Sequence, residues 1–446
     1  MNGTRRRRVG TLVGVTALLV ALAVPTSLPA AAADPPDQVL VWNQHAYDEL
    51  ISGAPATWKS PGVSALHLAM VHGAIYDAVN SIAGGYEPYL VAPAVADPTD
   101  SEDAAATAAG YHVLLDILKP PLILEADVPT VAARLLGYYN DSLTAILGAG
   151  VSQSSIDGGV AVGNAAAQAM IAERTGDGRY GATSFDVGFD TREWRPLAEG
   201  LAGNNFFWVG QVVPFLAPDA AMFGTRGPNA VTSARYTKEF NRVKSLGAID
   251  STTRTADQTA MAIFWADHAI GMWTRIFRQL SVANHLSTAE NARYFGMLYL
   301  TVGDAVIACQ LDKAKWGFWR PTTAIREAAT DGNPLTEADG TWESLNPVPP
   351  YPDHPSGHNC GSSSIVETLK DFYGTNRMTF SATRTFPQPG PAPITRTFTR
   401  FSQAIREVRR ARVFGGLHFW TADAQGARLG RKVANWRQEH YFQPVA

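Results

Sequence analysis

Three islands of polar residues between positions 313 and 418 carry the side-chain types needed to hold an anion and act on it. Lys313 and Arg320 stand seven apart, with Gly317, Phe318 and Trp319 before the arginine and Pro321 after it. Pro355, Ser356, Gly357 and His358 form the second island. Arg412 and His418 form the third, with Gly415 and Gly416 between them. The inventory is three cations, two imidazoles, one hydroxyl and a glycine N–H that a guest can approach closely. Cations and N–H donors match the non-bridging oxygens of a tetrahedral oxyanion such as phosphate or vanadate. One imidazole can bond to the central atom, and the other can move protons.

Local signals indicate how these groups are positioned. An apolar helical pattern over 287–312 opens with Ser287 and Glu290, a capping-box spacing, and delivers Lys313 at its C-terminal end. Gly317 predicts that this helix gives way before Arg320, and Pro321 fixes the backbone behind the guanidinium. A helix expected over 359–372 places Ser356 and Gly357 at its N-terminus, where free N–H groups and a partial positive charge suit an anion. Gly415 and Gly416 let the chain bend, so that Arg412 and His418 can face one centre. A metal reading of His354, His358 and Cys360 competes at the second island. Zinc ligands at i and i+4 need a continuous helix, which Pro355 and Gly357 oppose. His67 and His72 lie about 140° apart on an expected helix over 63–80, so they read as polar side chains satisfied within a bundle.

Taken in order, the islands resemble the superfamily of type 2 phosphatidic acid phosphatases (PAP2) and vanadium-dependent haloperoxidases, whose pattern reads K-x6-R-P, P-S-G-H, then S-R-x5-H. Asp304, Phe318 to Pro321, Trp42 with Asn43, and the 70–80 segment look like the soluble bacterial haloperoxidase-like branch. The resemblance implies that His418 bonds vanadium, or forms a phosphohistidine in a phosphatase, and that His358 is the acid–base group. Lys313, Arg320, Ser356, Gly357 and Arg412 would hold the oxyanion, and in a peroxidase Lys313 also takes part in catalysis. The implied activity is oxidation of halide by hydrogen peroxide at a histidine-bound vanadate, with a small organic acceptor. Two alternatives use the same motifs: an acid phosphatase acting on phosphate monoesters without vanadium, and a catalytically inactive oxyanion-binding homologue. The chain departs from the pattern at four places. Ala411 stands where serine is usual, and Ala422 where a carboxylate is often found, with Asp423 one position later. That leaves open which group orients His418. Tyr351 replaces phenylalanine or histidine, and Gln310 replaces tryptophan.

The rest of the chain fits an all-α protein, and the resemblance implies two helix bundles packed together with the site in the second. Four arginines at 5–8, an apolar run over 9–24 and alanines at 30–33 read as a secretory signal cut after Ala33. We therefore expect a leader over 1–33, an N-terminal bundle over 34–245 and a catalytic bundle over 246–446. No later stretch offers eighteen unbroken apolar residues, so no membrane span is expected in the mature chain. Residues 175–230 lack any period and read as a folded cover or functional loop. A net charge of −3 leaves no footprint for nucleic acid. The two cysteines, Cys309 and Cys360, exclude a disulfide scaffold; they read as one disulfide or two buried thiols.

Overall fold

Many of the helices begin where a short polar side chain takes up free backbone N–H groups. In the computed structural model, which describes residues 37–53, 60–197, 206–387 and 390–445, Asp37 caps α1 (Gln38–Tyr47), and a π-helical turn (Asp48–Ser52) follows. The expected leader lies outside the described residues. Next come α2 (Pro61–Ala83), α3 (Glu102–Ile117) capped by Ser101, α4 (Val128–Gly148), and α5 (Gln153–Glu173) capped by Ser152. The alanine-rich faces of α2, α3 and α5 let these helices pack closely on one another.

The second group starts with α6 (Ala234–Gly247), α7 (Ala256–Phe264) and α8 (Ala269–Ala283), capped by Ser233, Thr255 and His268. The Ser287–Glu290 capping box then opens α9 (Thr288–Trp316). This helix packs on α2 of the first group and on α11 (Gly357–Phe372) of the second, with the short α10 (Pro321–Arg326) between α9 and α11 in sequence. α12 (Phe401–Phe414) and α13 (Trp420–His440) complete the chain, and α13 lies along α11. α9 is long and apolar enough to cross a membrane, yet 94% of its apolar window is buried inside the protein. Tyr294, Phe295, Leu298 and Tyr299 on α9 are fully buried, each worth roughly 1.5–3 kcal/mol by apolar burial. A helix that anchors both groups in this way holds its C-terminal end, and so Lys313, in a fixed place.

Buried carboxylates secure the aperiodic segment after α5. Asp304 on α9 accepts N–H bonds from Phe215, Leu216 and Ala217 (2.5, 3.0 and 2.9 Å). Asp312, two turns further on, takes the N–H of Thr225 at 2.9 Å and its hydroxyl. The described residues of this cover are thus strapped to α9 at 215–217 and 225, by side chains nearly ninety residues away in sequence.

Helical spacing in the sequence predicts helices over 254–268 and 397–413, and the structure differs at one boundary of each. The helix expected from 397 begins at Phe401, because 394–398 is a strand with Thr395 and Thr397 on its exposed face and Phe398 buried on the other. β2 (Ile394–Phe398) pairs antiparallel with β1 (Phe380–Arg384), with Thr397 opposite Ser381. The helix expected over 254–268 stops at Phe264, and Trp265 to His268 form a turn. Among the described residues this hairpin holds the only strands, and the all-α class stands.

Candidate active site

Lys313 arrives on the last turn of α9, which ends at Gly317 in the left-handed region (φ 48°). The chain that follows is braced from the cover. The Trp194 N–H donates to the Gly317 carbonyl at 2.8 Å, and the Trp319 N–H to that of Arg192 at 2.9 Å. Two backbone bonds join the islands: Asp353 N–H to Phe318 carbonyl (2.9 Å) and Ser356 N–H to Ala422 carbonyl (3.1 Å). Gly416, at φ 75°, turns the chain after α12 and sits against Gly247, Ser344 and Trp342, where a Cβ would come within 3 Å of each.

All seven residues singled out in the sequence come together. Arg320 donates through Nε to the Tyr351 carbonyl (2.8 Å), and through Nη1 to the Leu417 carbonyl (2.9 Å) and to His418 Nε2 (3.1 Å). Lys313 Nζ donates to the carbonyls of Pro352 (2.7 Å) and Asp353 (3.1 Å). The ring against these cations is Tyr351, with its centroid 5.2 Å from Lys313 Nζ and 4.9 Å from the Arg320 guanidinium. Phe318 and Trp319 instead pack into a small apolar cluster with Tyr236 and Phe419. Arg412 donates to the Trp265 carbonyl at 3.1 Å. The His358 ring bonds the Asp267 carbonyl, and burial together with Arg412 holds its pKa well below the usual imidazole value. The Gly357 and His358 N–H groups open α11 and have no intrahelical acceptor.

His418 is oriented by Asp353. The carboxyl oxygen Oδ1 lies 2.7 Å from His418 Nδ1. Arginine can only donate, so Nε2 facing Arg320 carries the lone pair and Nδ1 the proton. Asp423 has other partners: it accepts from Asn359 Nδ2 at 2.7 Å and bonds the Ser356 side chain. The sequence reading left the orienting group open with Asp423 as the nearest carboxylate, and did not single out Asp353 or Asn359. Asp353 stands three positions before Ser356, and only the path of the 347–356 loop brings it to His418.

The charge of the site is out of balance. Lys313, Arg320 and Arg412 are all buried, and burial pulls Lys313 down to about 8 and Arg412 down to about 10. Burial, reinforced by Arg320, Lys313 and Arg412, keeps His418 neutral. The two carboxyls are pushed the other way, Asp353 up to about 7 and Asp423 well above its usual value, both chiefly by burial. Arg320 Nη2, Arg412 Nε and His358 Nε2 are buried with no protein partner. Gly357 faces open space, with no atom within 4 Å of where a Cβ would stand. A cavity of about 40 Å³ meets the site at Gly357, His358 and Tyr351, and Gln310, Cys309 and Trp273 also line it. Unpaired donors, surplus buried cations and an open glycine fit an oxyanion such as vanadate or phosphate.

The remaining candidates lie apart from this chemistry. His354 turns to Thr225 Oγ1 (3.0 Å), so it does not join His358 and Cys360. Cys309 and Cys360 are buried free thiols in contact with each other. On α2, His67 bonds the Tyr180 hydroxyl (2.7 Å) and His72 accepts from Asn43 on α1 (2.9 Å), so the two have separate partners.

The fold is the helical-bundle fold of the vanadium haloperoxidases. Residues 293–446, which hold all seven site residues, match the family model described as the VCPO second helical-bundle domain. The chain is similar to the vanadium chloroperoxidase of Curvularia inaequalis, with 24% identity over 428 residues, 78% of this chain and 68% of that protein. Among solved structures it resembles the first bacterial vanadium-dependent iodoperoxidase at a TM-score of 0.73 and 19% identity, covering 92% of this chain and 96% of that one. The holo form of a bacterial vanadium-dependent chloroperoxidase follows at 0.65 and 16% identity, covering 85% and 93%.

Proposed function

We propose that this chain is an exported vanadate-dependent haloperoxidase, with His418 as the vanadium ligand and halide and hydrogen peroxide as substrates. The observation that supports it is the gathering of three buried cations around a neutral, oriented imidazole, without enough protein charge to balance them. Bound vanadate would supply a Lewis-acidic centre at which peroxide becomes reactive toward halide. Lys313, Arg320 and Arg412 neutralise the oxyanion, and the Ser356 hydroxyl and Gly357 N–H add donors. His418 Nε2 provides the lone pair, which requires Arg320 Nη1 to give up its present contact. His358 Nε2, free of protein partners, holds or moves a proton. The small organic acceptor takes the halogen after the oxidation.

A phosphatase reading uses the same donors, because a trigonal-bipyramidal vanadate resembles the transition state of phosphoryl transfer. In it His418 attacks phosphorus and His358 protonates the leaving oxygen. The test is one purified preparation assayed with vanadate, peroxide and bromide or iodide, and in parallel with a phosphate monoester. We expect vanadate-dependent halogenation that exceeds hydrolysis. Hydrolysis alone would reverse the assignment to phosphatase, and silence in both assays would mark an inactive oxyanion-binding protein.

A further inference from the structure

At the opposite end of α9 lies a second cavity, of about 430 Å³, framed by the C-terminal end of α2, the residues after α8, the first turns of α9 and the end of α11. It is twenty residues from Lys313, about 30 Å along the helix, and so separate from the oxyanion site. Arg293 lines it. The guanidinium lies over the Tyr86 ring at 4.0 Å and near the Phe372 ring at 5.4 Å, and its Nε is buried without a partner.

Among the described residues, no carboxylate or carbonyl bonds to Arg293. The candidates nearby are committed elsewhere. Asp371 accepts from Arg437 at 2.6 Å and Gln438 at 2.8 Å. Glu290, one turn earlier, takes the N–H and hydroxyl of Ser287, each at 2.9 Å, as part of the helix cap. Arg437 is paired with Asp371, so that carboxylate is not available to Arg293. Two rings hold the guanidinium in place, and a preorganised fork loses little freedom when it binds.

We propose that this cavity binds a small organic monocarboxylate, its anionic end on Arg293 and its apolar body against Leu286, Ala289 and Phe372. The volume falls in the range of small-molecule sites. The Glu290 carboxylate in the same lining disfavours a polyanion, so a single negative charge suits Arg293. The mixed wall, with Leu286, Ala289 and Phe372 beside Asn80 and Asn284, leaves room for an organic body. The inference is independent of the haloperoxidase reading.

The test uses the full-length mature protein with benzoate as probe, followed by calorimetry or ligand-observed NMR. Saturable binding is expected, weakened at least about tenfold in Arg293→Gln and for the neutral analogue benzamide, as befits a lost charge-assisted bond. Ala289→Phe, which leaves Arg293 intact but fills the cavity, should weaken benzoate similarly at an unchanged melting temperature. This variant keeps the test valid should Arg293→Gln fold poorly. His418→Ala should bind benzoate as the unaltered protein does. No saturable binding, equal binding by Arg293→Gln and Ala289→Phe, full competition by chloride, or loss in His418→Ala would each overturn the proposal.

Discussion

Asp353 Oδ1 sits 2.7 Å from His418 Nδ1, and the same residue's backbone carbonyl accepts from Lys313 Nζ at 3.1 Å. One residue therefore sets the ring orientation of the imidazole and helps seat the lysine beside it. We expect Asp353→Ala to lower vanadate affinity and turnover by about 10–100-fold, the usual effect of removing a group that orients a metal-bound histidine. Asp423→Ala, which acts through Ser356 and Asn359, should leave the His418 ring in place. Vanadate affinity measured alongside turnover separates the two. An Asp353→Ala enzyme with unchanged affinity would contradict the orienting role.

Close approach of α13 to α11 builds the Ser356 end of the site. A Cβ on Gly426 would stand 2.6 Å from the Ser356 carbonyl oxygen. Gly426→Ala should cost about 1–3 kcal/mol of stability through overpacking, read by denaturant unfolding, and should reduce oxyanion affinity as Ser356 shifts. A stability unchanged within a few tenths of a kcal/mol would show that the helices can separate without penalty.

Much of this was legible in the chain. Ordered islands, capping residues and the Gly317 stop are local signals, so Lys313, Arg320, Ser356, His358 and His418 could be named together. The all-α class followed from helical spacing over most of the length. What stayed hidden depends on distant partners. Asp353 acquires its role only when the 347–356 loop closes on His418, and Tyr351 meets both cations only there. The 175–230 stretch has no periodic signal, and the carboxylates that hold its described residues 215–225, Asp304 and Asp312, belong to α9. The hairpin at 380–398 escaped notice because its two strands are five residues each, too short for alternation to stand out.

Acid should destabilise the protein through α2. Burial lowers His67 and His72 from 6.5 to about 3 in the folded state. A depressed folded value means that their contribution is fully present above pH 6.5 and is lost as pH falls toward 3. At pH 5 each costs about 2 kcal/mol. Buried Asp77 and Asp304, raised to about 6, act in the opposite sense, so the test is a difference. Between pH 7 and pH 5, His72→Gln should lose about 2 kcal/mol less unfolding free energy than the unaltered protein. Parallel pH profiles would show that His72 is protonated in the fold.

Export predicts a defined mature terminus. N-terminal sequencing of protein recovered from the culture medium should begin at Asp34. Intact Met1 on exported protein would contradict removal of the 1–33 leader.

The most direct measurement is a crystal structure of the protein grown with vanadate. Vanadium is expected bonded to His418 Nε2, its oxygens met by Lys313, Arg320, Arg412, Ser356 and the Gly357 N–H, with the Arg320–His418 contact opened. Vanadate bound elsewhere, or His418 still held by Arg320 with saturating vanadate present, would contradict it.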